Sequence, residues 1–126
     1  MTEISFTPRE LDVMSILWRR GSGTVAEVRE ELGEDLAYTS VLSALQTLEE
    51  KGYVDHRPEG RAYRYTPRVE PEEAGGSALA RIRNAVYQGS AERLFAQLVG
   101  DRGLSRAELE RMRLILSERL KKEEEP

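Results

Sequence analysis

The sequence predicts a mainly α protein with one small β-hairpin, organised as an N-terminal unit over residues 1–70 and a helical unit over residues 71–126. Three observations predict it. Helix-start signals recur in capping-box form at Thr7–Glu10, Thr24–Glu27 and Ser105–Glu108. Apolar residues follow each of them at helical spacing. One stretch, residues 53–66, instead alternates in short runs around a Pro/Gly turn.

The first helix has Thr7 at its N-cap, Pro8 at N1 and Glu10 at N3, with Phe6 and Leu11 at the positions of a hydrophobic staple. Leu11, Met14, Leu17 and Trp18 form its apolar stripe, and Gly21-Ser22-Gly23 ends it. The second starts at Thr24, buries Val25, Val28 and Leu32, and stops at Gly33. The third runs from about Tyr38 to Lys51, before Gly52. Val41, Leu45 and Leu48 form its core stripe and Leu42 flanks it. At about 100° per residue, Thr39, Ser43 and Gln46 point the other way, with Ser40 and Thr47 beside them.

Two alternating runs follow, Tyr53–Arg57 and Arg61–Thr66, around Pro58-Glu59-Gly60, and Pro67 closes them. Three short helices followed by a hairpin is the winged helix-turn-helix layout, in which the second helix of the turn motif enters a DNA major groove.

Val69–Pro71 reads as a linker. The fourth helix ends near Tyr87, but its start is open because Gly75 and Gly76 each cost about 1 kcal/mol relative to alanine; Ser77 is a candidate late N-cap. The fifth begins at Ser90 and carries Leu94, Phe95, Leu98 and Val99. Gly100 and Gly103 bracket a turn. The sixth opens at Ser105, with Leu104 and Leu109 in staple positions, and continues through Met112, Ile115 and Leu116. Lys121-Lys122 and the tail to Pro126 read as solvated and frayed. So few large apolar residues make a poor independent core, so these faces are expected to bury against a second copy. Leu94, Phe95, Leu98, Leu109, Met112 and Leu116 are the expected dimerisation residues.

Composition excludes several functions. The 126 residues contain no cysteine and one histidine, His56, which rules out disulfides, thiol catalysis and cysteine-ligated metal. No nucleophile–base pairing, phosphate loop or metal-ligand spacing is found, so the chain reads as a non-enzyme without cofactor or metal. The first residues lack a basic, then apolar, leader pattern, and no stretch approaches a membrane span; a cytoplasmic location is expected.

The net charge of −4 does not by itself suggest nucleic acid, but its distribution does. Arg57, Arg61, Arg64 and Arg68 fall within twelve residues opposed only by Glu59. Local positive charge at the contact surface governs DNA binding more than the total does. The candidate DNA-binding residues are therefore Thr39, Ser40, Ser43, Gln46 and Thr47 on the third helix, whose short polar groups suit base edges and phosphates, and Arg57, Arg61 and Arg64 around the hairpin. Strand alternation separates Arg61 and Tyr63 from Ala62 and Arg64, so the arginines cannot all face the same phosphates; Arg61, beside the turn glycine, is the first choice. The plainer readings are a wet helix face and an edge strand solubilised by charge. Tyr38 suits packing or a phosphate contact equally, Tyr63 and Tyr65 read as sheet packing, and Trp18 as core. His56 reads as structural or exposed, Glu10, Glu27 and Glu108 as caps, and Glu30-Glu31-Glu34-Asp35 as a solvated face.

The run Leu36–Leu45 followed by Leu48-Glu49-Glu50-Lys51-Gly52, and the run Gly60–Pro67, resemble the recognition helix and wing of the BlaI/MecI/CopY repressors. Thr7-Pro8, Glu10, Val13-Met14 and Leu17-Trp18 look like that family's first helix, and Tyr87–Ser90, Leu104-Ser105 and Glu108-Leu109 like its C-terminal part. The resemblance implies a homodimeric repressor that binds palindromic double-stranded operators upstream of antibiotic-resistance or stress-response genes. In one branch it also implies a membrane-bound sensor protease system, with cleavage at an Asn-Phe bond; the aligned residues here are Gln97-Leu98. The copper-sensing cysteine cluster of another branch has no counterpart in this chain. The competing reading is a winged-helix protein-interaction module without DNA binding, supported by the acidic first half.

Overall fold

The computed structural model describes residues 4–33 and 35–125. The elements run α1 (Pro8–Arg20), β1 (Gly23–Thr24), α2 (Val25–Leu32), α3 (Tyr38–Glu50), β2 (Val54–Glu59), β3 (Ala62–Pro67), α4 (Pro71–Ala85), α5 (Ala91–Val99) and α6 (Arg106–Glu124). The fold is thus mainly helical with a small sheet, a winged helix-turn-helix followed by helices. Packing separates one compact unit ending at Leu79 from a second starting at Ala80.

In the first unit, local signals set the helix starts. Thr7 accepts from the Glu10 N–H at 3.2 Å, and the Thr7 N–H donates back to Glu10 Oε1 at 2.8 Å. Thr24 and Glu27 repeat this reciprocal pair at 3.2 and 2.9 Å. Each box satisfies two N–H groups that a helix end would leave open. The core these helices enclose comprises Val13, Met14, Ile16 and Leu17 from α1, Val25 and Val28 from α2, Val41, Leu45 and Leu48 from α3, and Val54 and Tyr65 from the sheet.

Leu11 departs from expectation. It is 47% exposed, because the buried stripe is centred between Val13 and Leu17 and Leu11 lies on the opposite side of the helix. Phe6 packs on the rings of Tyr53 and Trp18, with centroids 4.9 and 6.3 Å away.

The sheet has three strands in the order β1-β3-β2, all antiparallel. β1, only two residues long, was not expected. Gly23 and Thr24 serve as a strand opposite Tyr65 and Arg64, and Thr24 is also the α2 cap. Glycine is needed at 23: a Cβ there would come within 3.1 Å of Val28 and 3.3 Å of Leu17. The hairpin turn is shorter than expected. Pro58 and Glu59 belong to β2, opposite Tyr63 and Ala62, leaving Gly60 and Arg61 as the loop. β2 is an edge strand, where a proline's missing N–H is tolerated. Gly60, at φ +61°, takes the first loop position, where positive φ favours glycine.

α4 starts at Pro71, not at Ser77. Proline suits the first helical position, and Glu72 and Glu73 suit the positive end of the helix dipole, which offsets Gly75 and Gly76. Ser77 lies inside the helix and donates its hydroxyl to the Ile4 carbonyl at 3.0 Å. The segment before α4 is tied to the core: Trp18 Nε1–H donates to the Val69 carbonyl at 2.8 Å.

In the second unit, Ser90 and Ser105 cap α5 and α6 by accepting from the N–H groups of Arg93 and Glu108 at 3.1 and 3.0 Å. α6 continues to Glu124, so the expected frayed tail is helical that far; Pro126 lies outside the described residues. No described residue of this unit is buried. Among the described residues, no helix is long and apolar enough to cross a membrane.

Candidate nucleic-acid interface

α2, its following turn and α3 form the helix-turn-helix, and two contacts hold α3 in place. Arg29, in the last turn of α2, donates through Nε–H to the Leu36 carbonyl at 2.7 Å, closing the turn. At the other end, Lys51 Nζ pairs with Glu10 Oε1 at 2.8 Å, tying the exit of α3 to the start of α1. Burial pushes the Glu10 carboxyl up, but hydrogen bonds from Lys51 and Thr7 outweigh it and hold the group below its usual range.

With α3 held this way, Thr39, Ser40, Ser43 and Gln46 are exposed and Thr47 is half-buried. No charged side chain occurs between Tyr38 and Thr47. α3 also lacks a side-chain cap, since its N-cap is Ala37.

The hairpin forms a wing whose two faces differ. His56, Tyr63 and Tyr65 share one face and, with Tyr38, Leu42 and Gln46 of α3, line an open groove of about 410 Å³ that Arg61 also borders. Tyr65 is buried, which pushes its hydroxyl up. Tyr63 packs on the sheet as expected, its ring meeting that of His56 on β2 edge-on at 4.6 Å, and it stays half exposed. His56 Nδ1 lies 2.7 Å from the Glu49 carboxylate, which joins the wing to the end of α3. Tyr38, for which the sequence left packing and a phosphate contact equally open, and Tyr63, read there as sheet packing, both line this groove.

Arg57, Glu59 and Arg64 share the opposite face, with Arg57 directly across from Arg64. Arg57 and Arg61 are exposed, and neither makes a hydrogen bond or ion pair among the described residues. Arg64 is engaged otherwise than expected. Its Nε and Nη2 donate to the two oxygens of Glu59, each at 2.8 Å, and its Nη1 lies 3.0 Å from Glu27 Oε1 and 3.1 Å from Ser22 Oγ. Hydrogen bonds from Arg64 lower the Glu59 carboxyl; those from the Thr24 N–H and then Arg64 lower Glu27. The two carboxylates in turn raise the Arg64 guanidinium. Arg68 pairs with Asp55 at 3.2 Å. The acidic run after α2 begins is not uniformly solvated, because Glu31 pairs with Arg19 and Arg20; Glu34 lies outside the described residues.

The profile of the penicillinase repressor family matches residues 6–118. The chain belongs to that family. As a member it is a dimeric, sequence-specific DNA-binding transcriptional repressor and not an enzyme, which decides against the interaction-module reading. It is 26% identical over 118 residues to the penicillinase repressor of Bacillus licheniformis, covering 92% of each chain. It is 34% identical over 103 residues to the transcriptional regulator BlaI of Mycobacterium tuberculosis, covering 79% of this chain and 75% of that one. Among solved structures it resembles the DNA-binding domain of the repressor BlaI, with a TM-score of 0.51 and 28% identity, over 57% of this chain and 90% of that one.

Proposed function

We propose that this repressor reads a palindromic operator with α3 in the major groove of each half-site and the wing against the adjoining backbone. The observation that carries this reading is the juxtaposition of an uncharged, short-chained polar face on a braced helix with a wing bearing two unengaged arginines. Ser43 and Gln46 are the base readers, Thr39 and Ser40 serve bases or phosphates near the uncapped helix start, and Thr47 borders the contact. The open N–H groups at that start favour a phosphate. Arg61 at the wing tip and Arg57 on its outer strand supply phosphate contacts, and Tyr38 and Tyr63 flank the backbone from the groove. The chain's net negative charge does not oppose this, because Arg57 and Arg61 present positive charge at the wing itself.

In this reading residues 1–70 bind DNA and residues 71–126 hold two copies together through Leu94, Phe95, Leu98, Leu109, Met112 and Leu116. The dimer then presents two α3 helices roughly 34 Å apart, one DNA turn. Cytoplasmic action on antibiotic-resistance or stress-response genes completes the proposal. Induction is loss of the dimer, which returns each half to weak single-site binding. A membrane-bound sensor protease system is the inducing partner that family resemblance suggests. Gln97-Leu98 lies within α5, so cleavage there requires that helix to open first.

Genome-wide footprinting of the tagged protein, with Arg61→Ala as control, tests the reading. Sharp palindromic sites that weaken in the control are expected; absence of enrichment would reject operator binding. On the strongest site, Ser43→Ala and Gln46→Ala should each cost about 1–3 kcal/mol of discrimination. Equal, small losses on operator and scrambled DNA would remove them as base readers.

A further inference from the structure

We infer that Arg64 is not a DNA contact but the centre of a clamp, and that Glu27 and Glu59 are positioning residues that act through it to set the wing against the recognition helix. The inference rests on the proposed docking of α3 and the wing.

The clamp sits where the wing leaves the body of the sheet. Thr24 opposite Arg64 is the outermost pairing between β1 and β3. Beyond it only β2 and β3 pair, through Pro58 with Tyr63 and Glu59 with Ala62. A two-stranded ribbon is marginally stable by itself, so its direction needs a brace. Arg64 spans that point. On one side it grips Glu59 in a two-bond fork, and Glu59 directly precedes the Gly60-Arg61 tip. On the other side it reaches Glu27, in the first turn of α2. Glu27 cannot drift, because its carboxylate also accepts from the Thr24 N–H at 2.9 Å and pairs with Arg20 at 3.2 Å. The α2 cap, the wing arginine and the wing tip are thus mechanically linked.

The same geometry argues against a phosphate at Arg64. All three guanidinium nitrogens are engaged, and the side chain is only 17% exposed. The flanking carboxylates, Glu27 shared with Arg20, neutralise its charge and so remove its attraction for a phosphate. Arg57 and Arg61 have no such neighbours bonded to them, so holding Arg64 still pre-organises the arginines that remain available.

The test has opposite signs for the two roles. Full-length wild type, Glu27→Gln, Glu59→Gln, Arg64→Gln and Arg61→Ala are titrated, across a salt series, against a labelled duplex carrying the strongest footprinted site and a scrambled duplex of equal composition. Glutamine at 27 keeps the capping box, since Gln serves at N3 as Glu does. The clamp predicts that both glutamate variants weaken operator binding roughly threefold to tenfold despite removing negative charge, at unchanged salt slope and melting temperature. Scrambled-DNA affinity should hold or rise. Arg64→Gln should show the same operator loss, and adding Glu27→Gln to it should add little. The clamp is overturned if the glutamate variants bind operator as tightly as or more tightly than wild type, or if Arg64→Gln lowers the salt slope by about one per half-site, the mark of a lost phosphate contact. If Glu27→Gln lowers the melting temperature, Glu59→Gln on the exposed wing decides. Failure of wild type to select operator over scrambled DNA would reject the DNA reading and the clamp together. Selection by wild type, lost in Arg61→Ala but intact in both glutamate variants, would reject the clamp alone.

Discussion

Leu45 in α3 and Leu98 in α5 carry the same side chain on the apolar faces of amphipathic helices, yet one is fully buried and the other 52% exposed. The difference separates the two units. In the first, α1, α2, α3 and a three-stranded sheet each turn one face inward, and those faces suffice to close a core around Leu45. In the second, α5 and α6 expose Phe95, Leu98, Leu109, Leu116 and, at 71%, Ile115. Adjacent exposed apolar side chains of this extent mark an interaction surface. The proposed dimer contact would account for them: one unit completes its core within a chain, and in that proposal the other completes it by association.

The largest expected effect comes from attacking that association. Leu98→Asp should convert the dimer to monomer by light scattering at micromolar concentration and lower operator affinity by roughly 10²–10⁴, the gain that linking two half-sites provides. A dimer of wild-type affinity would take Leu98 out of the contact. Leu45→Ala probes the other side of the comparison. It should cost about 2–5 kcal/mol in urea unfolding, because a filled site becomes a cavity. A loss near zero would mean that the first core relaxes as freely as an exposed face.

A smaller effect is expected at Glu10, which is 5% exposed and joins the α1 cap to Lys51. Glu10→Ala should cost about 1–2 kcal/mol through the lost cap and the unpaired lysine. The carboxyls of Glu10, Glu27, Glu31 and Glu59 all lie below the ordinary value of 4.5 in the fold. Groups depressed in this way stabilise the fold fully above about pH 4.5, and that contribution is lost as pH falls through their lowered values; solvent screening keeps the share of the surface carboxyls Glu27, Glu31 and Glu59 small, so the buried Glu10 carries most of it. All four belong to the first unit, so acid should destabilise it, and Glu10→Gln should flatten the profile. A melting temperature independent of pH between 6 and about 3 would contradict this. The smallest effect is a gain. Gly76 lies inside α4 with open space where a Cβ would go, so Gly76→Ala should stabilise by up to about 1 kcal/mol in thermal unfolding. Destabilisation would show that α4 needs a small residue there.

What could be read from the sequence follows the range of the forces involved. The starts of α1 and α2 were legible because a capping box is complete within four residues, whatever the rest of the chain does. The stripe of Val41, Leu45 and Leu48 was legible because helical periodicity alone sorts a helix into faces. The polar face of α3 followed from the same periodicity. β1 was not legible: two residues cannot show an alternation, and they become a strand only because β3 lies beside them. The start of α4 was obscured by two glycines, although Pro71-Glu72-Glu73 already carried the signal.

The arginines show the division most clearly. Sequence placed Arg57, Arg61 and Arg64 on a basic hairpin, and alternation separated Arg61 from Arg64. It could not say which of them was already engaged. Arg64 meets Glu27 across 37 positions of chain and Ser22 across 42, and no local pattern encodes such a meeting. Helix ends, faces and turn residues were determined by interactions a few residues long. Which charges stay available, how the wing is tied to α2 and which apolar faces remain open were decided by tertiary packing, because each depends on groups that only the folded chain brings within hydrogen-bond distance.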